Sequence, residues 1–112
     1  MPREILERAL GQARAAGDVS YEAQALLNLG ATCQRESDLG RAIRYFQGAL
    51  ALYLRMGKRL QLRLTTWNLA NVYVAVGMHE KARTYLDQSR RIAELDDSDR
   101  GRAFVHFSEG DI

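Results

Sequence analysis

Apolar residues in this chain recur at spacings of three and four, the pattern of helices buried along one face. The spacing predicts a first helix from about Pro2 to Ala16, with Ile5, Leu6, Ala9, Leu10 and Ala13 on a shared face. Gly17 ends it, because glycine enters the left-handed backbone region at little cost. A second helix is expected from about Ser20 to Glu36, with the stripe Ala23, Leu26, Leu27, Leu29, Gly30 and Cys33. Ser37-Asp38 then reads as a turn and cap. A third runs from about Leu39 to Met56, carrying Ala42, Ile43, Phe46, Ala49, Leu50, Leu52 and Tyr53, and Gly57 stops it. A fourth runs from about Leu60 to Val76 and stops at Gly77; a fifth runs from about Glu80 to Leu95. The acidic run Asp96-Asp97-Ser98-Asp99 breaks the pattern, and Arg100 to Phe107 reads as a stub of a sixth. Short turns make successive helices antiparallel neighbours. The expected fold is all-α: an antiparallel helix-hairpin solenoid of about five helices and a short C-terminal sixth.

The pattern also repeats. A shift of 40 residues carries Ala9-Leu10 onto Ala49-Leu50, Gly17 onto Gly57, Asn28-Leu29 onto Asn68-Leu69, Ala42 onto Ala82 and Tyr45 onto Tyr85. A fixed period of this size marks one supersecondary unit stacked along an axis. Small residues, Gly30 or Ala70 in one helix and Ala42 or Ala82 in its partner, allow the two axes to approach closely. Bulky residues fill the cleft between them: Leu29, Cys33 and Phe46 in one copy, Leu69, Tyr73 and Leu86 in the other. The chain divides into a partial copy over 3–22, a first full copy over 23–62, a second over 63–99, and a partial copy or cap over 100–112, all within one domain of 112 residues.

Composition narrows the function classes. A net charge of +2 on 112 residues is too weak for the basic stripe of a nucleic-acid binder. No apolar run approaches the ~20 residues of a membrane span. The chain enters an amphipathic pattern directly after Pro2, with no secretory leader expected. One cysteine, Cys33, excludes an internal disulfide and agrees with a cytoplasmic setting. His79 and His106 lack partners at metal-ligand spacing, and Asp96, Asp97 and Asp99 lack the glycine and distal glutamate of a calcium loop. No phosphate loop, nucleophile elbow or paired-carboxylate pattern is present. No enzyme activity, metal or cofactor is expected.

The segment Leu26-Leu27-Asn28-Leu29-Gly30 followed by Cys33, and the turn Ser37-Asp38-Leu39-Gly40-Arg41-Ala42, resemble the tetratricopeptide repeat. So do Trp67-Asn68-Leu69-Ala70-Asn71-Val72-Tyr73 and Gly77-Met78-His79-Glu80-Lys81-Ala82 in the second copy. The usual unit is about 34 residues and ends in proline; here Leu54 and Glu94 stand in that place, and the longer period resembles the long-helix variety seen in kinesin light chains and G-protein-signalling modulators. The resemblance implies a right-handed superhelix that binds a peptide or protein partner in a concave groove lined by the first helix of each pair. By position, the groove residues are Gln24, Leu27, Asn28, Ala31, Gln34 and Arg35 in the first copy, and Leu64, Trp67, Asn68, Asn71, Val74 and Ala75 in the second. Gln24, Asn28, Gln34, Arg35, Trp67, Asn68 and Asn71 are the candidate binding residues. Carboxamides offer donors and an acceptor to an extended backbone, Trp67 a flat anchor, and Arg35 a contact for a carboxylate. Family members that grip chaperone tails use a Lys/Asn/Asn/Lys/Arg set. Leu27, Ala31, Asn68, Phe104 and Ser108 occupy those places here, so such tails are not expected to bind.

Two other roles fit the same residues. One is a regulatory or sensor segment of a larger protein, such as a bacterial transcriptional regulator; the other is an oligomerisation module. The apolar segment Ala103-Phe104-Val105-His106-Phe107 suggests either that the chain is part of a longer protein or that two copies pair there as a homodimer.

Overall fold

A computed structural model describes residues 3–94. All the described residues form helices and short turns, and no strand occurs among them. The helices are α1 (Arg3–Ala16), α2 (Val19–Arg35), α3 (Leu39–Met56), α4 (Arg59–Ala75) and α5 (residues 79–94). The sequence placed the boundaries that fall inside the described residues within a residue; the start of α1 and the end of α5 coincide with the limits of those residues. The expected sixth helix and the acidic run before it lie outside the described residues.

The four turns are built alike, and they explain why the hairpins stack in register. Gly17, Ser37, Gly57 and Gly77 all have positive φ, between 62° and 82°. At each, two N–H groups reach back to satisfy carbonyls at the end of the preceding helix. Gly57 N–H donates to Leu54 and Lys58 N–H to Tyr53; Gly77 and Met78 do the same to Val74 and Tyr73. This is the Schellman arrangement. The left-handed positions are spaced by 20 residues, a half-period that the sequence pattern hides because serine replaces glycine at 37. A side chain at that conformation costs about 1–2 kcal/mol, and glycine's freer unfolded chain returns part of it. Ser37→Gly is therefore expected to stabilise the fold by about 0.5–1 kcal/mol, read as a rise in the urea midpoint at unchanged slope.

Asp18 caps α2, its carboxylate accepting from Tyr21 N–H at 3.1 Å. Asp38, expected to cap α3 likewise, makes no such bond. Its carboxylate turns instead to Arg3 at 3.5 Å and Arg41 at 3.6 Å, and Arg3 also pairs with Glu36 at 2.6 Å. The opposite charges tie the start of α1 to the turn after α2.

The core has two adjoining parts. One gathers Leu6 and Leu10 of α1, Ala23, Leu26 and Leu29 of α2, Ala49 and Tyr53 of α3 and Leu62 of α4. The other gathers Cys33, Ala42 and Phe46 with Leu69, Val72, Tyr73 and Ala82. The second joins the two copies. Across that seam the Tyr73 hydroxyl accepts from Gln47 at 3.0 Å; within the second copy the Tyr73 ring stacks on Tyr85 at 5.5 Å between centroids. Gly30 lies against the Phe46 ring, as the paired small residues predicted. Ile5 was expected on the buried face of α1 but is exposed; Leu6, Leu10 and Ala13 carry the burial there.

Candidate functional site

Helices α2 and α4, the first of each pair, approach one another directly, whereas α1 and α3 do not. Close inner helices and splayed outer ones curve the stack toward the α2/α4 side. The candidate residues are distributed over that side rather than gathered at one spot.

On α2, Gln24, Asn28 and Arg35 are exposed and Gln34 is half-buried. Gln24 Nε2 donates to the Asn28 side-chain Oδ1 at 3.2 Å, and Arg35 donates to the Thr32 hydroxyl at 3.3 Å. Asn28 and Arg35 line a cleft of about 250 Å³ with Leu6, Ala31 and Thr32. The Gln24 bond engages the Asn28 side-chain oxygen, and its amide group donates to no partner among the described residues.

On α4 the picture is different. Trp67 is 52% exposed and Asn68 and Asn71 are half-buried at its side. Neither asparagine side chain makes a hydrogen bond among the described residues. Trp67 continues a stripe of exposed apolar side chains: Leu60 (54%), Leu64 (46%) and Val74 (47%) recur at helical spacing, with Asn71 in the gap. Leu60 was not among the residues singled out from the sequence. The opposite face of α4 supplies Leu62, Leu69, Val72 and Tyr73 to the core. The helix thus carries apolar side chains on two opposite faces, with polar residues between them.

A second concavity, unforeseen from the sequence, lies on the other side of α4. It encloses about 300 Å³ between Leu50 and Leu54 of α3, Leu62 and Thr66 of α4, and Gln88, Arg91 and Ile92 of α5. Leu54 is the residue standing where the repeat usually has proline, and it is the available clue to this hollow.

Burial shifts two titratable groups of the core. Cys33 is fully buried and free of disulfide. Burial pushes its thiol pKa up, with Asp38 and Glu36 adding to the shift and Arg3 and Arg41 opposing it, so it is held as an unreactive thiol. Burial likewise raises the pKa of the Tyr53 hydroxyl, which has no hydrogen-bond partner among the described residues. No group of three metal-capable side chains forms among the described residues. No helix among them is long and apolar enough to cross a membrane.

Paired antiparallel helices with a shared left-handed turn, stacked around a continuous core, define a helical-hairpin repeat protein. Residues 25–60 match the family model described as "Tetratricopeptide repeat". The crystal structure of the TPR domain of Arabidopsis FLU superposes with a TM-score of 0.76 at 28% identity, covering 85% of this chain and 78% of that one. No curated protein is similar enough to count as a relative. Residues 25–60 thus resemble a tetratricopeptide repeat and the fold is that of a TPR domain; such repeats are in general protein–protein interaction modules.

Proposed function

We propose that this protein holds a peptide or protein partner on the hollow side formed by α2 and α4, and does so without catalysis. The observation that carries this reading is the exposed Trp67, flanked by Asn68 and Asn71 with uncommitted carboxamides. A half-exposed indole beside amide donors combines a large apolar contact with groups that fix a backbone. Asn28, Gln24, Gln34 and Arg35 extend the polar surface along α2. The partner is a protein segment rather than nucleic acid or membrane, in keeping with the near-balanced charge. A cytoplasmic setting belongs to the same reading, since the lone thiol is buried and unpaired.

Selection of a displayed random-peptide library on the immobilised full chain tests it. Selected peptides are expected to lose affinity by roughly thirtyfold or more for the Trp67→Ala/Asn68→Ala/Asn71→Ala variant, the cost of about 2 kcal/mol or more at a hot-spot aromatic. Failure to select any peptide, or equal binding to the variant, removes the groove as the function.

A further inference from the structure

The near-balanced charge of the whole chain hides an uneven division. Residues 3–38 hold four arginines against six Asp and Glu, whereas residues 39–94 hold ten Lys and Arg against three Asp and Glu. Helices α3 and α4 contain no acidic residue at all.

The apolar hollow between α3, α4 and α5 lies inside this basic part. Leu50, Leu54, Leu62 and Ile92 wall it. Thr66 is on the wall too, but its hydroxyl is already committed to the Leu62 and Arg63 carbonyls, each at 2.9 Å. Arg91 lines the hollow, and Arg55 and Arg63 follow Leu54 and Leu62 in sequence. None of these three arginines forms an ion pair among the described residues; Arg90, beside Arg91, is the one that pairs with Asp87. An aliphatic recess edged by unpaired cations is complementary to an aliphatic group flanked by anions.

The wall at Leu54 says how large the occupant is. Proline in that place would interrupt the helix, but α3 continues to Met56 and keeps Leu54 as a helical side chain, 61% exposed. A recess of about 300 Å³ with so open a wall suits one side chain presented by a larger partner. A small molecule is normally enclosed over most of its surface. No aromatic side chain among the described residues lines the hollow as a platform for a nucleic-acid base.

We propose that this hollow is a second docking site, which takes an acidic protein segment by inserting one aliphatic side chain among Leu50, Leu54, Leu62 and Ile92 while Arg55, Arg63 and Arg91 meet carboxylates on either side. The recess supplies the contact, and the arginines select the sign of the partner and steer it in. Neither Trp67 nor the three asparagines line the hollow, so the site does not rest on the reading given under Proposed function.

Fluorescence anisotropy on the full chain tests it with a labelled peptide of one leucine between two runs of three glutamates. The peptide is expected to bind, more weakly as salt is added. Serine in place of its leucine weakens binding by about tenfold or more, the order for withdrawing one aliphatic side chain from contact. Leu54→Glu and Arg91→Glu, both at exposed positions, each weaken the leucine peptide by about tenfold or more, with helix content by circular dichroism unchanged. The Trp67→Ala/Asn68→Ala/Asn71→Ala variant binds it as the wild type does. Absence of binding overturns the proposal, as does equal binding of the leucine and serine peptides; in the latter case displacement of both by duplex DNA assigns the basic face to nucleic acid. A wild-type dimer in light scattering that Leu54→Glu breaks also overturns it, assigning the hollow to a second copy. Loss on the Trp67 triple variant with Leu54→Glu unaffected places the acidic peptide in the groove, so the hollow falls and the groove stands. Binding that depends on Leu54, with no library-selected peptide sensitive to the triple variant, leaves the hollow and removes the groove.

Discussion

Phe46→Ala is expected to remove about 3–5 kcal/mol of folding free energy, the cost of emptying a fully buried aromatic site. Phe46 has no exposed surface and stands where the two copies meet. The loss is a large share of the ~5–15 kcal/mol that holds a domain together. A sharper form of the test lies in its partner Gly30. A Cβ added at Gly30 would come within 2.6 Å of the Phe46 ring. Alanine improves helix propensity by about 0.8–1.0 kcal/mol over glycine, but overpacking a filled core costs about 1–3 kcal/mol. Overpacking wins, because the fully buried ring has nowhere to swing, and Gly30→Ala in the wild type destabilises by up to about 2 kcal/mol. In the Phe46→Ala background the obstruction is gone and the same substitution changes sign, stabilising by up to about 1 kcal/mol. Urea denaturation of the four proteins gives the cycle. The second copy already holds the compatible pairing, Ala70 with the smaller Leu86.

Leu69→Ala is expected to cost about 2–5 kcal/mol and to do so unevenly. Leu69 is fully buried and joins Cys33, Ala42 and Phe46 of the first copy to Val72, Tyr73 and Ala82 of the second. In a stacked-repeat protein, stability is roughly a sum of unit terms and nearest-neighbour interfaces. Cutting the interface should therefore let α4 and α5 open before α1 to α3. Amide exchange is expected to accelerate more in α4 and α5 than in α2; uniform acceleration would mean that the seam is not a separable interface.

The helices were legible because each carries a 3.6-residue stripe and ends at a residue able to enter the left-handed region. Ser37 shows where that reading thins: it takes the same backbone conformation as Gly17, Gly57 and Gly77 without advertising it, so the half-period of 20 stayed hidden. The burial of Cys33 and the paired small residues followed from the repeat. The exposure of Ile5, the turning of Asp38 toward Arg3, and the hollow beside Leu54 depend on residues distant in sequence, which periodicity does not bring together. The candidate site was partly legible. The repeat register placed Asn28, Asn68 and Asn71 on the first helices of their pairs. The register also set Leu64, Trp67 and Val74 apart from the buried Leu69, and all three stand exposed; Leu60, on the same stripe, was missed because it lies in the first turn of α4, ahead of the repeat motif.

The central claim is that the α2/α4 side is the binding side, and the side-chain amides of Asn28, Asn68 and Asn71 report on it most directly. In a nitrogen-15 NMR titration of the full chain with a library-selected peptide, their resonances and the Trp67 indole N–H are expected to shift together along one saturating curve, with α3 amides unmoved. Shifts confined to α3 and the Leu54 hollow, with those asparagines unchanged, would contradict the account.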